Sequence, residues 1–237
     1  MPCFNASSPE RPVAWLLLCA CLLALPAQAQ AQAPAAVTSV SSPALQELLA
    51  RFAAMSGLSA KFREEKRMAL LAAPLVNEGM LYFAPRGRLA RHITAPAPAT
   101  VLIDEGSLRY ADAGGSETMS LDQNPALRLF VESFVKIFAG DRAALERMYT
   151  LSLTQVPASA DGVARWSLGL RPRVAPMTQI IERIEITGHE VTLETMRVIE
   201  VGGDETVTTF TEVDTKRRFT PQELTTLFTL PARARVQ

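Results

Sequence analysis

The segment that decides the fold spans residues 79–110 and reads GMLYFAPRGRLARHITAPAPATVLIDEGSLRY. Turn-forming residues, such as Pro85-Arg86-Gly87, divide it into short runs suited to strands. These runs lie at 79–83, 88–94, 100–103 and 107–110. Because turn chemistry recurs about every eight to twelve residues with no helical period in between, the segment predicts an antiparallel meander.

Further strands are predicted on both sides of this meander. Residues 58–66 begin with alternating apolar side chains, which is the period of a strand. After the meander, five more runs have strand character, at 151–153, 166–170, 180–186, 191–199 and 206–213. The chain is therefore predicted to be mainly β, with about nine to eleven strands.

Three amphipathic helices accompany the strands. The first begins at Ser42-Pro43 and repeats apolar residues at helical spacing until Gly57. The second begins at Asn124-Pro125, and Asp141 caps a third. The second helix has one apolar face, formed by Leu127, Phe130, Phe134, Ile137 and Phe138. Such a face fits a permanently packed core helix or a lid that yields to an apolar ligand.

Residues 1–29 are interpreted as a secretory signal peptide. Arg11 precedes an apolar run at 13–25, and small residues then alternate with glutamine. Cleavage is expected at 29/30 or 31/32, leaving a flexible lead-in at 30–42 and one domain at 43–237. All three cysteines fall within the signal, so the mature protein is expected to have no disulfide and no thiol chemistry.

A lipoprotein anchor is the alternative interpretation of the same residues. Leu18-Cys19-Ala20-Cys21 loosely resembles a lipobox, which would leave Cys21 lipidated and the protein tethered to a membrane. The apolar run continues past Cys21, however, and the small-residue repeat downstream would then be redundant. These features favour export in soluble form.

The charge balance argues against a nucleic-acid partner. The chain carries 24 basic and 24 acidic residues, so its formal net charge is zero. No basic stripe with interleaved aromatic residues is present, which is the usual footprint of nucleic-acid binding. The composition favours an apolar or neutral ligand.

The chain also lacks the usual constellations of an enzyme. Its two histidines, His92 and His189, do not form a zinc-protease motif, and no Gly-x-Ser-x-Gly elbow occurs. His92 lies within a predicted strand and is interpreted as a hydrogen-bonded structural residue. Glu64 and Glu65 are interpreted as a solvated edge, since neighbours in a strand face opposite ways. No catalytic residue, metal site or cofactor is therefore predicted.

Two segments resemble the outer-membrane lipoprotein carrier family, whose members have a LolA-like fold. Residues 78–89, EGMLYFAPRGRL, and residues 102–110, LIDEGSLRY, match its hairpins, and residues 228–231 resemble its closing strand. The resemblance implies an incomplete antiparallel β-barrel, a half-barrel covered by a helical lid. It also implies a monomeric, non-enzymatic periplasmic carrier. Such a protein binds acylated lipoprotein or other lipid-linked cargo and moves it from an inner-membrane donor complex to an outer-membrane acceptor.

This resemblance implies an apolar, acyl-binding cavity between sheet and lid. The sheet residues expected to face it are Leu81, Phe83, Leu89, Ile93, Val101 and Ile103. The lid residues expected to face it are Leu127, Phe130, Phe134 and Phe138. The family places a latch arginine just before the turn proline, whereas here Pro85 precedes Arg86. The latch is accordingly expected at Arg86 or Arg88, with Arg91 as a third candidate.

Other functions compatible with the sequence remain open. One is a carrier for a glycolipid or polyketide-like lipid that feeds a dedicated exporter. Another is a lipid-sensing regulatory module, which would need a stable partner protein. A hydrolase is disfavoured by the two histidines.

Overall fold

A computed structural model describes residues 36–37, 43–104, 106–158 and 162–230, which all fall within one compact unit. The predicted signal peptide at 1–29 and its cleavage positions lie outside the described residues. In the predicted lead-in at 30–42, only β1 (Ala36–Val37) is described, and it pairs with a strand later in the chain.

The first half of the described chain is a helix followed by consecutive antiparallel hairpins. Helix α1 spans Pro43–Ala53. The strands that follow are β2 (Leu58–Arg67), β3 (Leu75–Ala84), β4 (Arg88–Ala95), β5 (Ala99–Asp104), β6 (Ser107–Asp112) and β7 (Gly115–Ser120). The meander predicted over 79–110 is confirmed, and β7 extends it by one strand that the sequence pattern did not reveal.

Two helices and a second meander complete the fold. Helices α2 (Pro125–Phe138) and α3 (Arg142–Met148) follow β7. The remaining elements are β8 (Tyr149–Val156), β9 (Arg165–Pro172), α4 (Met177–Ile180), β10 (Ile181–His189), β11 (Thr192–Glu200), β12 (Glu205–Asp214) and α5 (Pro221–Leu227). The structure thus adds two helices, α4 and α5, to the three predicted.

All strands belong to one sheet, whose order is β1-β8-β9-β10-β11-β12-β2-β3-β4-β5-β6-β7. The two meanders join where β12 pairs with β2, for example Phe210 opposite Phe62. Every ladder is antiparallel, and among the described residues no ladder joins β7 to β8 or β1. The predicted incomplete antiparallel barrel is therefore confirmed.

Helices α2 and α3 cross the concave face because the chain must pass from one sheet edge to the other. They connect β7, at one edge, with β8, near the opposite edge. Asn124 caps α2 by accepting a hydrogen bond from the Leu127 backbone (3.0 Å), and Asp141 caps α3 in the same way (3.0 Å to Ala144 N). Gly140 has a positive φ between the two helices and lies against the backbone of α1. The predicted lid helices are thus placed by topology as well as by their apolar faces.

The core lies between the concave face of the sheet and helices α1 to α3. Phe52 of α1 is buried and packs edge-to-face against Phe138 and Trp166, with ring centroids 5.8 Å apart in each pair. Aromatic pairs in this geometry contribute more than their buried area alone. They tie α1, α2 and β9 into one hydrophobic cluster.

The convex face is covered by the C-terminal segment, which corrects one prediction. Residues 228–230 do not form the expected closing strand, and residue 231 lies outside the described part. Instead, Thr220 and Glu223 form a capping box that starts α5, with Pro221 in its first turn. This segment packs over Ala84, Ala90 and Leu102 of the sheet through Phe228 and its neighbours.

His92 has the structural role expected for it. It lies on the convex face, where its Nε2 is 2.8 Å from the carbonyl oxygen of Leu227. Because a carbonyl only accepts, the imidazole donates this hydrogen bond. The ring also packs edge-to-face against Tyr82, and His92 therefore helps to hold the C-terminal segment on the sheet.

Candidate functional site

An apolar cavity of about 270 Å³ lies between the concave face of the sheet and α2. Strands from both meanders and the inner face of α2 contribute to its wall, which is apolar except for one arginine. The lining residues are Leu81, Leu89, Arg91, Val101, Ile103, Leu108, Leu127, Phe130, Val131, Phe134, Ile137, Phe138, Ile186, Leu193, Met196 and Phe210.

Strand alternation places the sheet residues of the cavity. Leu89 faces the cavity, whereas its neighbour Ala90 faces α5 on the convex side. In the same way, Ile103 faces the cavity and Leu102 faces the convex side. Of the sheet residues expected at the cavity, the structure brings together Leu81, Leu89, Val101 and Ile103.

Phe83 and Ile93 lie next to the cavity rather than in its wall. Phe83 is buried, and its ring centroid is 4.6 Å from that of Phe138, so it supports the base of α2. Ile93 is partly buried and packs against the same core. Both residues pack against the concave-side core as expected, but neither contributes to the cavity wall.

The expected lid residues all line the cavity. Leu127, Phe130, Phe134 and Phe138 lie on the inner face of α2, and the rings of Phe130 and Phe134 stack edge-to-face at 5.1 Å. These aromatic side chains fill much of the space beneath the helix. Any ligand that enters the cavity would therefore contact the rings of Phe130 and Phe134.

A buried hydroxyl pair fixes the flank of α2. Ser133 and Tyr149 are each almost fully buried, and their hydroxyl oxygens are 2.6 Å apart. Burial raises the pKa of the Tyr149 phenol above its ordinary value, and the contact with Ser133 offsets part of that rise. The pair joins the lid to β8 near the middle of the helix.

Several lining residues were missed from the sequence. Ile186, Leu193, Met196 and Phe210 reach the cavity from the second meander. Alternating apolar residues in β10 and β12 indicate that one face of each strand is buried. The alternation alone does not show that these strands enclose the same cavity as β3 to β6. The two meanders face one cavity because β12 pairs with β2.

Arg91 is the charged residue in the cavity wall. Its Nη2 lies 2.8 Å from Oε1 of Glu64, and its guanidinium carbon lies 4.2 Å from the ring centroid of Phe62. The Glu64 side chain is only 14% exposed, so the expectation of a solvated edge is wrong for this residue. Strand β2 lies inside the sheet, between β12 and β3, and Glu64 faces the concave side.

Glu64 is ionised within this cluster. Burial by itself would raise its pKa, but the ion pair with Arg91 acts in the opposite direction, aided by hydrogen bonds from Asn77 and Thr208. Together these interactions hold the pKa of Glu64 below its ordinary value. Arg91 and Glu64 thus form a partly buried ion pair in the wall of an otherwise apolar space.

A second pocket, of about 480 Å³, adjoins the apolar cavity and shares Arg91, Leu127, Phe130 and Met196 with it. Its other walls include Glu64, Glu200 and Asn124, which make it more polar. Ile180, which is 44% exposed, brings this pocket to the protein surface. The two pockets together form an apolar interior with a more polar mouth.

The two preferred latch arginines do not line the cavity. Arg86 and Arg88 line a surface pocket with Phe219 and Leu224 of the C-terminal segment. Arg88 also stacks over the Phe228 ring at 5.6 Å. Among the described residues, neither forms a hydrogen bond with α2, which this turn approaches through Gly87 and Val135. Only Arg91, the third candidate, reaches the cavity.

The described residues show neither a metal site nor a helical membrane span. They contain no group of three or more histidine, cysteine, aspartate and glutamate side chains that could hold a metal ion. In the same residues, no helix has the length and apolar character that a membrane crossing requires.

The described geometry has distant counterparts among solved structures. The LolA superfamily protein NE2245 from Nitrosomonas europaea aligns with TM-score 0.40 and 13% identity, covering 78% of this chain and 97% of that one. The MucA/MucB complex structure from Pseudomonas aeruginosa aligns with TM-score 0.45 and 14% identity over 76% and 60%. Lipoprotein LppX from Mycobacterium tuberculosis aligns with TM-score 0.39 and 9% identity over 76% and 99%.

Sequence comparison identifies the family. A comparison with curated proteins gives no match. The family described as "Outer membrane lipoprotein carrier protein LolA-like", in contrast, matches residues 31–227, which span both meanders and every helix of the half-barrel. The chain therefore belongs to the LolA-like family of outer membrane lipoprotein carrier proteins.

Proposed function

We propose that this protein is a periplasmic carrier that shelters the acyl chains of lipidated cargo in the cavity beneath α2. The observation that carries the proposal is the wall of that cavity, in which Arg91 is the one charged residue among apolar side chains. Membership of a lipoprotein-carrier family supports the class of cargo. The apolar segment at 13–25 supports export from the cytoplasm.

The energetics of an acyl chain explain why a carrier needs such a cavity. Burial of one methylene group is worth about 0.8 kcal/mol, so about 16 exposed carbons cost on the order of 12 kcal/mol in water. Unassisted passage of such a chain between two membranes is correspondingly slow. The cavity offsets this cost during transit.

The lid side chains would make release possible. The closed cavity, at about 270 Å³, is slightly smaller than the roughly 300–1,000 Å³ usual for ligand pockets. A long acyl chain must therefore displace Phe130 and Phe134 from part of the space they fill. When the cargo leaves, these rings return and recover part of the lost burial. The net affinity is then the small difference between the free energy of burying the acyl chain and that of burying the rings, as a reversible carrier requires.

The finer features of this role follow from the same proposal. The cargo would be an acylated lipoprotein, received from an inner-membrane donor complex and delivered by a monomeric carrier to an outer-membrane acceptor. A glycolipid or polyketide-like cargo would use the same cavity. Identification of the lipids that co-purify with the protein distinguishes these cargoes.

A binding experiment with a dansyl-labelled fatty acid tests the proposal. The wild-type protein should increase and blue-shift the dansyl fluorescence as the probe enters the cavity. Phe134→Glu should weaken binding at least about tenfold, because a carboxylate would have to be desolvated against the apolar wall. Val101→Phe should weaken it similarly by filling the cavity without introducing charge.

Thr226→Glu is the matched control for the added carboxylate. Thr226 is exposed on α5, on the convex face, and this variant should bind the probe as the wild type does. Circular dichroism and thermal unfolding establish that each variant is folded. Equal affinity of Val101→Phe and the wild type would refute acyl binding in this cavity, whatever Phe134→Glu does.

A further inference from the structure

The large hydrophobic side chains that are exposed in the described part of the chain gather at one end of the half-barrel. Leu70 is 92% exposed, and Leu71, Leu75, Ile180 and Val201 are each between 44% and 56% exposed. Isolated exposed leucines are ordinary, but a contiguous group marks an interaction surface. We refer to these five residues as the apolar rim.

Three segments bring the apolar rim together. Leu70 and Leu71 lie in the loop between β2 and β3, next to the turn between β11 and β12, and the backbone NH of Ala69 donates to Oδ1 of Asp204 at 3.3 Å. The NH of Val201, in that turn, donates to the carbonyl of Ile180 at 2.9 Å. The rim is therefore one surface assembled from distant parts of the chain.

The apolar rim borders the opening of the second pocket, which leads into the apolar cavity. Ile180 belongs both to the apolar rim and to the wall of the second pocket. That pocket continues into the apolar cavity through Arg91, Leu127 and Phe130. An acyl chain that leaves the cavity through the second pocket would thus emerge beside exposed aliphatic side chains.

We infer that the apolar rim docks on the surface of a lipid bilayer and places the mouth of the cavity against it. This inference rests on the proposed carrier function, since a carrier must exchange an acyl chain with a membrane or with a partner at a membrane. Continuity between rim and cavity argues for lipid, because the acyl chain would then pass from bilayer to cavity without crossing water.

The chemistry of the rim also favours lipid over a protein partner. The loop at 68–74 reads MALLAAP and contains neither charge nor aromatic ring. Protein interfaces are enriched in aromatic residues and arginine and depleted in alanine. Short aliphatic side chains on an exposed loop instead match shallow insertion among acyl chains.

The charges beside the rim predict how this docking depends on lipid composition. Lys66 pairs with Glu200 at 2.7 Å, and Arg67 lies within 4 Å of both Glu65 and Glu205. These basic groups are balanced by neighbouring acids, so they attract anionic lipid only weakly. Binding should therefore depend on aliphatic insertion and little on anionic headgroups.

Vesicle flotation with phosphatidylcholine vesicles, with and without phosphatidylglycerol, tests this inference. The purified wild-type protein should float with both kinds of vesicle to a similar extent. Leu70→Asp/Leu71→Asp should lower the partition coefficient at least about tenfold, since aspartate is strongly disfavoured in a bilayer. Leu70→Ser/Leu71→Ser should lower it without a change of charge.

Thr225→Asp/Thr226→Asp is the charge-matched control. Both residues are exposed on α5, away from the rim, and this variant should float as the wild type does. All variants should retain their affinity for the soluble dansyl-labelled fatty acid. Failure of the wild type to bind the probe would refute the carrier function and leave vesicle docking to be judged by flotation alone.

Three results would overturn the inference. The first is a wild-type protein that does not float with phosphatidylcholine vesicles. The second is equal flotation of both rim variants and the wild type. The third is flotation that requires phosphatidylglycerol, which would assign binding to charge rather than to the rim. Capture of a partner protein through the rim, without vesicle binding, would identify a protein docking site instead.

Discussion

Replacement of Arg91 by methionine provides the sharpest test of the electrostatics in the cavity wall. Arg91→Met keeps a long, flexible side chain over Phe62 but removes the cation that lies 2.8 Å from Glu64. Glu64 would then keep only weak contacts, with Asn77 at 3.4 Å and Thr208 at 3.3 Å. The carboxylate of Glu64 would remain largely buried with no positive charge beside it.

The expected loss of stability lies between two known limits. Breaking a fully buried ion pair by removing one partner costs about 3–5 kcal/mol, whereas exposed pairs contribute less than about 1 kcal/mol. The Glu64 side chain is 14% exposed and the Arg91 side chain 26%, so the pair is neither fully buried nor freely solvated. We expect Arg91→Met to lower the free energy of unfolding by about 2 kcal/mol at pH 7.

The pH dependence of this loss follows from the pKa of Glu64. In the wild type that pKa is lowered by folding, so the pair adds stability above the unfolded pKa and loses it as the pH falls through the folded value. Without Arg91, burial becomes the dominant effect and raises the pKa of Glu64, which destabilises the folded protein at neutral pH. As the pH falls, the carboxyl is protonated first in Arg91→Met, and in the wild type only below its lowered folded pKa, so the difference in stability between the two proteins should shrink with acidification.

Urea unfolding of a double-mutant cycle measures the coupling between Arg91 and Glu64. Glu64→Gln/Arg91→Met should be within about 1 kcal/mol of the wild type at pH 7, since a buried pair replaced as a whole often costs little. In the Glu64→Gln background, the effect of Arg91→Met on the free energy of unfolding should no longer depend on pH, since no carboxyl then titrates beside position 91. A loss of stability in Arg91→Met that is the same at pH 7 and pH 4, together with additive effects in the cycle, would refute this account of the pair.

Two further predictions concern the turn and the strand that precede Arg91. The affinities of Arg86→Leu and Arg88→Leu for the dansyl-labelled fatty acid should be within about threefold of the wild-type affinity, because both arginines lie with the C-terminal segment on the convex side. A change of tenfold or more in affinity would instead support a latch in this turn. Gly79→Ala should lower the free energy of unfolding by about 1–3 kcal/mol, because its Cβ would overlap the carbonyl oxygen of His92 across the ladder between β3 and β4. Unchanged urea unfolding of Gly79→Ala would show that the two strands separate more easily than this contact suggests.

Local sequence signals were sufficient wherever the structure depends on neighbouring residues. Turn chemistry between 79 and 110 predicted the first meander, and Asn124-Pro125 and Asp141 marked the starts of the lid helices. Leu89, Val101 and Ile103, which the family resemblance placed at the cavity, do line it. The start of α5 was not predicted, although Thr220-Pro221 followed by Glu223 has the residue pattern of a capping box.

The tertiary structure alone decided which distant segments share a surface. Pairing of β12 with β2 brings Phe210 to the cavity and places Thr208 beside Glu64, although 144 residues separate them. It also puts β2 inside the sheet, and thereby turns Glu64 from an expected surface acid into the partner of Arg91. Side-chain period and turn chemistry act within a few residues. The sequence by itself therefore determined the features that depend on them, namely the strands of the first meander and the starts of the lid helices. The pairing of remote strands depends on the burial that both faces gain together and on the entropy of closing the chain between them, which no local window of sequence contains.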